Sequence, residues 1–205
     1  LDRVKHEGRD IRWDSTSTVQ WFTGWHEGYA GYRCRRTVVF VKPWYWLVRD
    51  DVASAVSGDT ISWYLHSPQP LERVGTDWRT GGAPGMWVLP AEPGLITRLG
   101  SGRAASTVDT EPGKTQEAGW IRFDRTSHTD TTARFSVFLV PFRSPGNAPV
   151  CSAVGPGHLR IVSGEYADDL YLGGEGSVVT GVSTDAACFW TRSVAGKLRS
   201  LALID

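Results

Sequence analysis

GWHEGYAGYRCRRTVVFVKPWYWLVRDDV, residues 24–52, holds two apolar runs of strand character separated by a proline. Successive side chains of a β-strand point to opposite faces, so Val39 and Val41 share one side and Val38 and Phe40 the other. Both sides are apolar, which makes this a central strand. Pro43 cannot donate to a ladder, so Lys42-Pro43-Trp44 reads as a tight hairpin connection into a second strand. Further on, TARFSVFLVPF (residues 132–142) sets Phe135, Val137 and Leu139 against Ser136, Phe138 and Val140, and Pro141 ends it. The two regions are expected to meet across the core.

The same grammar extends through the chain. Short segments rich in β-branched and aromatic residues, among them DTISWYLHS, GMWVLPA, GWIRFDR and ACFWTRSV, are bounded by Gly, Pro, Asp, Asn or Ser, as strands joined by turns should be. No window carries an apolar stripe at helical spacing for three turns, so no long helix is expected. Many short strands in 205 residues imply an all-β chain, an antiparallel β-sandwich forming a single domain over residues 1–205, with two packed sheets an easy fit to the length. Residues 68–85, 101–119 and 143–157 read as loops, the second being the one expected to move.

Composition narrows the function classes. Twenty-two basic and 22 acidic residues balance to a formal net charge of +0, so bulk electrostatics point to neither nucleic acid nor anionic lipid as a partner. Eighteen of the basic residues are arginines, whose planar fork suits carboxylate or sulfate, although a GC-rich genome gives the same bias. No apolar run approaches the roughly 18 residues of a membrane helix, and LDRVKHEGRD lacks the apolar core of a signal peptide. The first residue is Leu1, and RSLALID follows a strand-like segment at the other end, so a processed product or fragment is expected. Cys34, Cys151 and Cys188 allow at most one disulfide and have no zinc-finger spacing. Cationic neighbours Arg33 and Arg35 could lower the Cys34 thiol pKa, but an unreactive strand residue is the plainer reading.

No phosphate loop, dinucleotide fingerprint, HExxH or GxSxG occurs. His128 and Asp130 have a spacing that two metal ligands could share, but one pair without a second reads as a surface turn, so no metal site is expected. His66 closes an apolar strand as an edge histidine. Ten tryptophans are many for this length. Trp25, Trp44, Trp78 and Trp87 lie near expected turns and are the candidates for exposed sugar-stacking platforms.

The order His26-Glu27-Gly28-Tyr29, then Arg35-Arg36 running into TVVFVKPWYWLVRDDV, resembles the C-terminal β-sheet domain of heparinase II/III-like polysaccharide lyases. That family shows a His-Asp-Gly-Tyr turn, a basic pair opening a strand, and a strand of the form Lys-x-x-Tyr-Trp-Leu-Val-x-Asp. Here Glu27 replaces the usual aspartate, and Asp50 or Asp51 takes the last position. ISWYLHSP and ARFSVFLVPFR resemble later strands, so the likeness covers residues 17–142.

The resemblance implies an α/α toroid upstream of an antiparallel β-sandwich, and cleavage of uronic-acid polysaccharides by β-elimination. It further implies a bacterial, secreted or periplasmic protein, an acidic polysaccharide or oligosaccharide as partner, and zinc held in the upstream part. The family's histidine pair and His-Asn motif are missing here. This chain is therefore expected to hold no cofactor and to be inactive alone. His26 and Tyr29 are the candidate catalytic residues, and Trp25, Arg33, Arg35, Trp44, Trp78 and Trp87 the candidate substrate-binding residues. Alternation puts Arg33 and Arg35 on one face and Tyr32 and Arg36 on the other, so the set cannot all meet one substrate. The structural reading is that His26 and Glu27 fix a turn, Gly28 supplies permissive backbone and Tyr29 packs. The alternatives are a non-catalytic module that binds acidic carbohydrate and a structural or oligomerising β domain.

Overall fold

The computed structural model describes residues 7–105, 113–164, 166–173, 177–179, 182–184 and 186–204. They form eighteen strands and no helix. β1 (Arg9–Ser15), β2 (Val19–Tyr29), β3 (Tyr32–Val41) and β4 (Tyr45–Ser54) run as successive antiparallel hairpins. β5 (Thr60–Ser67), β6 (Leu71–Val74), β7 (Asp77–Thr80), β8 (Gly85–Pro90), β9 (Ile96–Ala105), β10 (Thr115–Thr126) and β11 (Thr132–Phe142) follow. The remainder holds β12 (Val150–Gly155), β13 (His158–Ser163), β14 (Tyr166–Leu172), β15 (Ser177–Val179), β16 (Val182–Thr184), β17 (Cys188–Val194) and β18 (Lys197–Ile204).

An eight-stranded sheet of order β1-β2-β3-β4-β11-β8-β7-β6 forms the middle layer. Val39, Val41, Tyr45, Leu47 and Phe138 on one of its faces pack with Leu159, Ile161, Leu170 and Trp190 of the five-stranded sheet β12-β13-β14-β17-β18. Val52, Val88, Phe135 and Val137 on its other face pack with Trp63, Ile121 and Phe123 of the three-stranded sheet β5-β10-β9. The sandwich thus has three layers where two sheets sufficed for the length. The apolar character of both faces of β3 and β4 has its cause here, because each face meets a different sheet.

Turn chemistry sets the registers. Ala30-Gly31 joins β2 to β3 with Gly31 at φ 84°, a left-handed conformation that glycine adopts without a Cβ penalty. Lys42-Pro43-Trp44 joins β3 to β4 as expected, with the Trp44 N–H donating to the Val41 carbonyl at 2.7 Å. The five-stranded sheet is tied to the middle sheet by a buried polar bond, Tyr45 Oη donating to Asp168 Oδ2 at 2.7 Å.

Several expectations change. β4 and β11 are direct neighbours in one sheet, with Val48 opposite Val137, and do not face each other across the core. Residues 68–85 contain the β6–β7 hairpin, and residues 143–157 contain β12. Of residues 101–119, Ser101–Ala105 and Thr115–Gly119 are paired strand, while residues 106–112 lie outside the described residues. Trp78 and Trp87 are buried in the two cores, because their strands pair inside the middle sheet, so neither presents a face to solvent. The three cysteines are free thiols. Cys34 points away from Arg33 and Arg35; burial, then the Asp50 carboxylate, raises its pKa against the opposing pull of Arg36.

Candidate functional site

β3 divides two clefts because its side chains alternate. Its odd-numbered residues Arg33, Arg35 and Thr37 line a cleft of about 650 Å³ on the side of the five-stranded sheet. Arg12 and Asp10 of β1, Arg49 and Asp51 of β4, and Arg134 of β11 complete the cationic wall, and Leu172, Gly173 and Ala187 form the far rim. Five guanidiniums face two carboxylates, an excess of three positive charges.

The cleft's arginines are held in place by specific partners. Asp51 accepts from Arg49 Nε at 2.9 Å and from Arg134 Nε at 2.8 Å. Burial works to raise the Asp51 pKa, but the two guanidiniums outweigh it and hold the carboxyl below the usual range. The Arg49 side chain is buried, and its Nη1 finds no hydrogen-bond partner among the described residues. Arg12 Nε pairs with Asp10 at 2.9 Å, and Arg35 Nη2 reaches the same residue at 3.5 Å. Beneath them the Thr23 and Thr37 hydroxyls meet at 3.1 Å. Arg35, about half in solvent, is thus only loosely paired.

Trp25 flanks this wall, half-buried, with the Arg33 guanidinium 4.4 Å and the Arg9 guanidinium 5.3 Å from its ring centroid. Its stacking surface is used by arginine, so Trp25 positions cations. Trp44 sits in the β3–β4 turn beside Tyr166 and Arg192 and does not line the cleft.

The even-numbered residues Tyr32, Cys34 and Arg36 line a second cleft, of about 720 Å³, beside the three-stranded sheet. His26 and Tyr29 lie there too, their rings 6.2 Å apart. His26 Nδ1 accepts from the Gly28 N–H at 3.0 Å, the turn-fixing bond read from the sequence. Glu27 instead pairs with Arg33 at 3.2 Å. Tyr29 does not pack, being 68% exposed at the hairpin end, and the left-handed residue of that hairpin is Gly31, not Gly28. Tyr32 donates its hydroxyl to Asp59; that bond, and then burial, raises its pKa. A phenol so held is a proton donor, not a base, near neutral pH. Arg36 forks onto Asp50 with both bonds at 2.7 Å.

The structure separates the sequence candidates only in part: Arg33 opens on the first cleft, His26 and Tyr29 on the second, and Arg35 borders both. No His, Tyr or Lys lines the arginine cleft among the described residues, and its two carboxylates, Asp10 and Asp51, are engaged by arginines, so the cleft is suited to holding an anion. His128 and Asp130 are exposed in the turn between β10 and β11. Among the described residues no three His, Cys, Asp or Glu side chains converge to hold a metal ion. Arg12, Arg49 and Arg134 were not foreseen. By alternation Arg49 and Asp51 share one face of β4 with Tyr45 and Leu47, so of the three arginines only Arg49 was open to that reasoning. Arg134 depends on the β4–β11 register, which carries no local sequence signal.

A family model described as Heparinase II/III-like, C-terminal, matches residues 4–167. Among solved structures the chain is similar to heparan sulfate lyase HepC from Pedobacter heparinus, with a TM-score of 0.63 and 14% identity over 97% of this chain and 28% of that one. A structure of heparinase III gives a TM-score of 0.63 at 16% identity, covering 96% of this chain and 27% of the other. Another heparinase III gene product gives 0.62 at 13% identity, covering 100% and 28%. At such identities the likeness is one of fold, and this chain spans just over a quarter of the length of those proteins. No curated protein matches.

Proposed function

The chain belongs to the heparinase II/III-like C-terminal family, and from that premise we propose that it is the β-sandwich part of a larger polysaccharide lyase acting on uronic-acid glycans by β-elimination. In this reading an α/α toroid precedes it in the parent protein, and the arginine cleft forms one wall of the substrate path. The observation that carries the proposal is that wall: Arg12, Arg33, Arg35, Arg49 and Arg134 around one cleft.

β-Elimination needs the C5 carboxylate neutralised, a base for the C5 proton and an acid for the leaving oxygen. Arginine forks supply the first requirement, since they bind carboxylate or sulfate through paired charge-assisted hydrogen bonds. The arginine cleft supplies neither of the others. Those groups, with the zinc that the resemblance implies, are placed upstream. The described residues fit no metal, so no step here runs through one.

The test is ultraviolet absorbance of the unsaturated uronate product, with heparin, heparan sulfate, hyaluronan, chondroitin and oligo-alginate as substrates. The chain is assayed alone and joined to the segment that precedes it in its parent. Product from the joined protein only is the expected result, and the responding glycan names the substrate. Product from the chain alone would move catalysis into the cleft of His26, Tyr29 and Tyr32. No product from either would leave the non-catalytic readings, binding of acidic carbohydrate or a structural role.

A further inference from the structure

The outer face of the three-stranded sheet carries a second built surface, across the middle sheet from the arginine cleft. Trp63, Ile121 and Phe123 turn inward to the core, so the alternate residues of β5 and β10 turn outward: Tyr64, His66, Trp120 and Arg122. The register sets them in two rows across the sheet. His66, Trp120 and Gly100 stand side by side, and next to them Tyr64, Arg122 and Arg98.

Trp120 is held in one orientation. A Cβ at position 100 would fall 2.1 Å from Cζ2 of the indole and 2.5 Å from Cε2, so the ring lies across the bare backbone of Gly100. Its Nε1–H donates to the Ser101 carbonyl at 3.3 Å. One indole face therefore rests on β9, and the half-buried ring has the Arg122 guanidinium 5.9 Å from its centroid. Tyr64, 46% exposed, stands beside it at an interplanar angle of 63° and a centroid distance of 6.0 Å. The His66 ring runs parallel to Tyr64 within 11°.

Cations border the rings. Arg122 Nη1 donates to Tyr64 Oη at 3.0 Å and its Nε to Asp124 Oδ1 at 2.9 Å. Arg98 Nε reaches Asp124 Oδ2 at 3.1 Å, with 59% of the Arg98 side chain in solvent. Asp124 is buried and fully engaged by this pair and by the Ser62 hydroxyl at 2.7 Å, so it fixes the arginines and leaves two guanidiniums for one buried carboxylate.

We propose that this face is a separate binding surface for an anionic oligosaccharide, with Trp120 stacking on a pyranose ring and Arg98 and Arg122 meeting its carboxylate or sulfate. A pinned indole loses little conformational freedom on binding, which favours affinity through preorganisation. The charge border selects acidic over neutral sugars. The surface retains polymer at a distance from the arginine cleft, so it acts on long chains more than on short ones.

The test is isothermal titration of the 205-residue chain with a heparan sulfate hexasaccharide and with neutral cellohexaose, using Trp120→Ala, Gly100→Ala, Arg98→Ala and the cleft variant Arg35→Ala. Trp120→Ala and Gly100→Ala, which deletes or lifts the ring, are expected to weaken hexasaccharide binding about 10-fold, the scale of a truncated aromatic anchor. Arg98→Ala is exposed and keeps the fold; it is expected to weaken binding and flatten its salt dependence. Cellohexaose is expected to bind more weakly than the acidic sugar. Unchanged affinity in Trp120→Ala and Arg98→Ala with loss in Arg35→Ala would overturn this inference and leave the cleft reading intact. Loss in the first two with little effect of Arg35→Ala would establish the surface. No binding of either sugar would overturn it as well.

Discussion

Replacing Asp168 with asparagine should undock the five-stranded sheet. Asp168 is 0% exposed and accepts four hydrogen bonds: from Tyr45 Oη at 2.7 Å, Trp190 Nε1 at 3.0 Å, and Arg192 Nε and Nη2 at 2.8 Å each. All four partners are donors, so an amide NH₂ placed there has nothing to donate to. Burial, and then the Asp168 carboxylate, push the Tyr45 phenol far up, so Tyr45 stays a donor. The Arg192 side chain, only 11% exposed, would keep its charge without a counterion. Breaking one side of such a buried pair costs about 3–5 kcal/mol. For a chain of this size each kcal/mol moves the melting temperature by about 2–4 °C, giving a fall of roughly 6–20 °C. Urea unfolding followed by tryptophan fluorescence gives the free energy directly. Because β14 carries both Asp168 and the cleft-rim residue Leu172, affinity for acidic glycan should fall as well. A loss below about 1 kcal/mol, the level of an exposed pair, would mean that Asp168 does not hold the two sheets together.

Asp51→Asn should destabilise the chain at neutral pH and remove part of its acid sensitivity. The folded Asp51 pKa is depressed, so its contribution is present above the unfolded value of about 3.9 and is lost as pH falls through the lower folded value; unfolding free energies of the two proteins should converge in strong acid. In native protein at pH 8, Cys188 and Cys151 should resist alkylation, since burial pushes Cys188 up to about 12 and Cys151 higher still, with Asp77 adding to the latter; rapid labelling without denaturant would contradict this. Gly157→Ala should cost at least about 1–2 kcal/mol for its left-handed backbone alone, and more because a Cβ would sit 2.3 Å from the Leu172 carbonyl oxygen; an unchanged melting temperature would contradict it.

The strands that bury apolar side chains were legible from alternation, as Val39, Val41 and Phe135 show. β1 was not, because all its residues are exposed and an edge strand needs only backbone pairing. The β6–β7 hairpin was hidden by glycine and proline around Trp78, whose burial depends on a distant sheet. Sheet order was equally out of reach: β4 pairs with β11, more than eighty residues on, and nothing local encodes that choice. The candidate site was half legible. Alternation separated Arg33 from Tyr32 and Arg36, as the two clefts do, whereas Arg35 reaches both. Arg134 joins the wall only through that long-range pairing, and Trp120 gains its orientation from Gly100 on a neighbouring strand.

If the arginine cleft receives the acidic group of a glycan, Arg35→Ala in the protein joined to its upstream segment should weaken substrate binding. Arg35 is exposed and only loosely paired with Asp10, so the fold should survive. Loss of one charge-assisted hydrogen bond predicts about a 10-fold rise in KM with kcat little changed, the pattern of lost uniform binding. An unchanged KM in a folded, active protein would contradict this and place the substrate elsewhere.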